Sequence, residues 1–83
     1  MVAVQGKVVE RFTKKPVIGA VVNVGGNIGY TNFNGQFSVT TNTGRQDLQV
    51  TASGYTPWFR NMNFKRAINR VGVIAIDSEI MAL

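Results

Sequence analysis

The stretch Tyr30-Thr31-Asn32-Phe33-Asn34-Gly35-Gln36-Phe37-Ser38-Val39-Thr40 carries the strongest structural signal in the chain. Phe37 and Val39 alternate with Gln36, Ser38 and Thr40, the period of two expected of a strand with one buried face. Asn34-Gly35 stands just before that strand, and both residues accept the positive φ that a type I′ turn requires. The pair therefore predicts a hairpin between Tyr30 and Phe37.

The same period extends outward in both directions. Val2, Val4 and Val8 alternate with Ala3, Gln5 and Lys7; Ala20, Val22 and Val24 alternate with Val21 and Asn23; Leu48, Val50 and Ala52 alternate with Gln49, Thr51 and Ser53. A short strand is expected around Ile28 to Thr31 and another from Tyr55 to Phe64, where Pro57, lacking an N–H, marks a sheet edge or a strand start. The nearly continuous apolar run Val71 to Ile76 predicts a last, more fully buried strand. Lys15-Pro16, Ile18-Gly19, Gly25-Gly26-Asn27, Asn42-Thr43-Gly44 and Ser53-Gly54 supply the turns. Six or seven short strands with no helical stretch beyond a turn or two predict an all-β sandwich or open barrel. Its core is expected to hold Ala20, Val22, Phe37, Val39, Leu48 and Val50, which share the buried phase of their strands.

A chain of 83 residues with 45% hydrophobic and 16% charged residues predicts one globular domain spanning 1–83, with no room for a second core. Cysteine and histidine are both absent, which excludes a disulfide framework and a thiolate zinc site. Of the usual supports for so small a domain, association with other subunits remains. The start Met1-Val2-Ala3-Val4-Gln5-Gly6 has none of the features of a secretory signal, and no apolar run is long enough to span a membrane.

Four segments occur in an order and spacing similar to a known family: residues 4–9, residues 15–22 with Pro16 and Gly19-Ala20, residues 29–39 with Asn34-Gly35, and residues 48–55 ending in Gly54-Tyr55. Over about residues 2 to 60 the chain resembles the carboxypeptidase regulatory-like domain. The resemblance implies a small seven-stranded, Greek-key, prealbumin-like β-sandwich that serves as an accessory module of a larger protein. The chain departs from that pattern where Asn32 follows Thr31 in place of an acidic residue, removing one potential cation ligand.

The chemistry-bearing residues point away from catalysis. Without His or Cys, a nucleophile would have to be a serine or threonine activated by lysine or carboxylate, and Ser38, Ser53 and Ser78 all lie in strand or strand-end contexts. Asp77 and Glu79 share a face if their strand continues, which reads first as a solvated strand end and only secondarily as a weak cation site. Gly25, Gly26 and Gly29 lack the Lys-Ser/Thr and the following helix of a phosphate loop. No catalytic residue, metal ligand or cofactor is assigned.

The net charge of +5 predicts attraction to acidic surfaces. Its densest basic group, Lys65, Arg66 and Arg70, follows the aromatic segment Tyr55 to Phe64. On a strand, Trp58, Arg60, Met62 and Phe64 share one face and Tyr55, Pro57 and Phe59 the other, so both faces carry apolar residues and something covers the second. Core packing by loops or the last strand is one reading. The other makes Trp58, Arg60, Met62 and Phe64 a partner-binding face, with Lys65, Arg66 and Arg70 as its polar rim. The leading functional expectation is a non-catalytic structural or interaction module in a homo- or hetero-assembly, for example a virion accessory or capsid decoration protein. A carbohydrate-binding or adhesive surface module is the alternative. A nucleic-acid binder, motivated by charge alone, ranks third.

Overall fold

The computed structural model describes residues 1–79; residues 80–83 of the expected domain lie outside the described residues. Seven strands run in the order β1 Val2–Glu10, β2 Val21–Val24, β3 Asn27–Tyr30, β4 Gln36–Thr41, β5 Gly44–Thr51, β6 Trp58–Phe64 and β7 Ile68–Ile76. They form a three-stranded sheet, β4-β1-β7, and a four-stranded sheet, β3-β2-β5-β6. All pairs are antiparallel except β1 with β7. Strands β1 and β4, and β2 and β5, are paired across intervening strands, which is the Greek-key character of the sandwich.

Alternation in β2, β4 and β5 aims Val22, Val24, Phe37, Val39, Leu48 and Val50 between the sheets, where they meet Val4, Val8, Ala20, Ile74 and Ile76. All six residues expected in the core are buried there.

The Asn34-Gly35 turn differs from the expected hairpin. Strands β3 and β4 belong to different sheets, so the segment between them is a connection across the sandwich. Only Gly35 of the pair has positive φ, at 75°. The Gly35 amide donates to the Asn32 carbonyl at 2.9 Å, giving a type I pattern followed by a left-handed glycine. Asn32 builds this turn: its Oδ1 accepts the Asn34 and Gln36 amides at 2.9 and 3.0 Å. The type I′ geometry occurs instead between β2 and β3, where Val24 pairs with Asn27 and the two intervening residues, Gly25 and Gly26, have φ of 58° and 92°.

The last strand is also less buried than its apolar run suggests. Gln5 pairs with Arg70 but Gly6 with Gly72, so Val71 is an extra residue and the bulge resets the inward phase. As an edge strand, β7 buries Ile74 and Ile76 but leaves Ile68 and Val73 exposed.

One buried hydroxyl ties the loops at the end where β1 stops and β4 starts. Thr31 Oγ1 donates to the Val17 carbonyl at 2.6 Å and accepts the Ala20 amide at 2.8 Å. This bond pair fixes the β1–β2 loop against the β3–β4 connection.

Candidate interaction surface

Strand β6 ends the four-stranded sheet, pairing only with β5, and Pro57 immediately precedes it. Its inward phase is Trp58, Arg60, Met62 and Phe64. Phe64 is a core residue, 2% exposed, and Trp58 and Met62 pack half-buried against the core. The expectation that these four present a common free face is therefore corrected: the inward phase of β6 meets the interior, and Phe64 is fully enclosed. Arg60 shares that phase yet is exposed, because its long side chain leaves the edge of the sandwich with its guanidinium 5.2 Å from the centre of the Trp58 ring. The outward phase carries Phe59, which is exposed, with Asn61 and Asn63.

Residues 65–67 carry the chain from β6 to β7 and so from one sheet to the other. Asn69 holds this turn. Its Oδ1 accepts the Arg66 amide at 3.2 Å, while its Nδ2 donates to the carbonyls of Arg66, at 2.8 Å, and Ala3, at 3.3 Å. Lys65, Arg66 and Arg70 are thereby presented outward, all exposed. Arg45, at the start of β5, lies at the same end and donates to Asn61 Oδ1 at 2.9 Å; Asn61 Nδ2 donates in turn to Asp47 at 3.0 Å. The sequence signal for Asn69 and Arg45 was absent, since only pairing brings Arg45 beside β6 and only the turn gives Asn69 its three bonds.

Charge is unevenly distributed along a molecule with principal extents of 44 × 21 × 17 Å. Arg45, Lys65, Arg66 and Arg70 cluster at one end, with Asp47 two residues along β5 from Arg45. Glu10 ends β1, and Asp77 and Glu79 follow β7, toward the other end, where Arg11, Lys14 and Lys15 balance them. Arg11 Nε lies 2.6 Å from Asp77 Oδ1, a half-exposed pair of small energetic weight. Glu10 shapes its own turn: its carboxylate accepts the Phe12 amide at 2.8 Å and the Thr13 amide at 2.9 Å. The Thr13 amide above all, helped by the Phe12 amide, the Thr13 hydroxyl and Lys14, holds its pKa below the usual glutamate value against desolvation, which opposes them.

That second end also displays apolar residues that sequence reasoning did not single out. Phe12 and Phe33 are each 83% exposed and Ile18 60%, on the loops that Thr31 and Gly35 join. Phe12 and Phe33 each sit alone between polar neighbours and Ile18 lies in the turn between Val17 and Gly19, so no periodicity marks them.

No family model matches the chain, and no curated protein matches it. Among solved structures it is similar to a chain of a type II cohesin–X-dockerin complex from Acetivibrio cellulolyticus, the N-terminal interface mutant, with TM-score 0.77 and 19% identity over 94% of this chain. The C-terminal interface mutant of the same complex gives 0.68 and 20% over 88%. A putative membrane-associated protein of unknown function from Bacteroides fragilis gives 0.68 and 21% over 98%. This chain spans 58%, 53% and 29% of those three chains, respectively. At such identities the likeness establishes the fold: a small seven-stranded β-sandwich.

Proposed function

We propose that this chain is a non-catalytic interaction module that docks an acidic protein surface within a larger assembly. The observation that carries this reading is the charge asymmetry. Lys65 and Arg66 stand on the Asn69-fixed turn and Arg70 on the strand that follows it, joined by Arg45, and among the described residues the ion pair found, Arg11–Asp77, lies at the opposite end. Exposed cations gathered at one end of a domain attract an acidic surface and orient it before contact. Met62, Arg60 and Trp58 follow in that order along β6 away from this end, and supply the apolar part of the contact, Trp and Arg being favoured interface anchors.

Two further lines support it. Two of the structural neighbours come from a protein–protein complex, and the sequence resembles carboxypeptidase regulatory-like domains, which act as accessory modules. A decorated virion is one assembly in which such a module would work. The test is light scattering on the chain recovered from its native source. The proposal expects it in a species well above 9.1 kDa that releases it as salt is raised. Recovery as a lone monomer at low salt would contradict it.

A further inference from the structure

We infer that the free edge of β7 accepts an extended, acidic strand from a protein partner, extending the three-stranded sheet to four. This rests on the acidic-partner reading and adds how the partner engages.

The two sheets are unequal. Among the described residues strand β7 pairs with β1 on one side and with no strand on the other, over nine residues that contain no proline. Strand β6, consecutive with β7 and joined to it by residues 65–67, borders the same side of the sandwich in the opposite sheet. The slot between these edges is closed at one end by that turn. At the other, the Tyr55–Ser78 bridge, with the Thr56 amide donating to the Asp77 carbonyl at 2.8 Å, draws the chain after β7 across to the chain before β6. Within the slot the inward phase of β6 lacks a fourth strand above it, which is why Trp58 and Met62 remain half-buried and Arg60 exposed while Phe64, nearest the turn, is enclosed.

A strand hydrogen-bonded to β7 would meet two different environments at alternate positions. Side chains pointing inward would cover Trp58, Met62 and Val71, all half-buried. Those pointing outward would lie beside Arg70 and the exposed Val73, which flank a depression of about 290 Å³ lined also by Gln5, Lys7 and Gly72. The surrounding charge is cationic, from Arg60, Lys65, Arg66 and Arg70, and disfavours a second copy of this chain, whose edge carries the same Arg70. The bulge at Val71-Gly72 divides the edge into two pairing segments without covering it. The occupant is therefore an extended segment alternating apolar with acidic residues.

The test is an NMR titration of the isotopically labelled chain with a nine-residue peptide of alternating valine and glutamate. A second peptide carries N-methyl groups on alternate backbone nitrogens, and a third replaces glutamate by lysine. Expected are saturable shifts of the β7 amides and the Trp58 indole N–H with the first peptide, and at least tenfold weaker binding of the other two. If the first and N-methylated peptides bind equally and shift only Lys65, Arg66 and Arg70, strand pairing is overturned while the acidic-partner reading survives. If no peptide binds, or if outward β7 amides are already protected from solvent exchange in the free chain, the edge is not an open acceptor and the inference fails.

Discussion

Phe37 lies across Gly6, its register partner on β1, so closely that a methyl group at Gly6 would come within 2.8 Å of Phe37 Cζ. The same methyl would stand 2.7 Å from Val71 Cγ2. Gly6 thus provides the space in which the ring of Phe37 and the bulged Val71 share one site. Gly6→Ala is expected to destabilise by about 1–3 kcal/mol, as overpacking does. Urea unfolding measures this, and no change in the midpoint would mean that the ring moves aside freely.

Truncating the other partner removes a large buried side chain. Phe37→Ala should cost about 3–5 kcal/mol. A domain of this size holds roughly 4–12 kcal/mol in all, so the variant should sit near its unfolding threshold at room temperature. A loss below about 1 kcal/mol would contradict the assigned strand phase.

Thr31→Val keeps the shape of the side chain and removes its hydroxyl. The Val17 carbonyl and the Ala20 amide then lose their partner in a buried site, with an expected cost of about 1–3 kcal/mol. Thr31→Ser retains the hydroxyl and should recover most of that loss. If valine and serine variants unfold at the same urea concentration, the hydroxyl bonds are not what joins the two loops.

Glu10 gives the fold a pH dependence of definite sign. Its folded pKa lies below the unfolded value because the Thr13 and Phe12 amides favour the carboxylate. The contribution is therefore fully present above the unfolded glutamate pKa and is lost as pH falls through the lowered folded value. The difference in melting temperature between wild type and Glu10→Gln should be largest near pH 7 and shrink progressively below about pH 4. A difference that grows on acidification would reverse the assignment.

The strands were legible because each of β1, β2, β4 and β5 alternates in sequence, and Val22, Val39 or Leu48 can face only one way if its polar neighbours face water. The turn at Asn34-Gly35 was legible as a turn and illegible as to type, because local residues do not say whether flanking strands join one sheet or two. Strand β7 concealed its exposed half because apolarity alone does not reveal an edge, and because the extra residue Val71 breaks the period. The phase of β6 was ambiguous for a similar reason: Trp58 and Phe59 are both apolar, and only pairing with β5 decides which turns inward. The basic group Lys65, Arg66 and Arg70 was visible as composition, whereas its separation from Glu10, Asp77 and Glu79 depends on topology.

In the proposed function the cationic end of the sandwich steers a partner. The most direct measurement is the association rate constant between the chain and the assembly from which it is recovered, for wild type and for Lys65→Glu/Arg66→Glu/Arg70→Glu, with unfolding of both measured in parallel. All three positions are exposed, so the unfolding midpoint should be nearly unchanged. Steering by these cations requires an association rate at least about tenfold lower for the variant at low salt, with the gap closing as salt is raised. Equal rates at low salt, with both proteins folded, would contradict it.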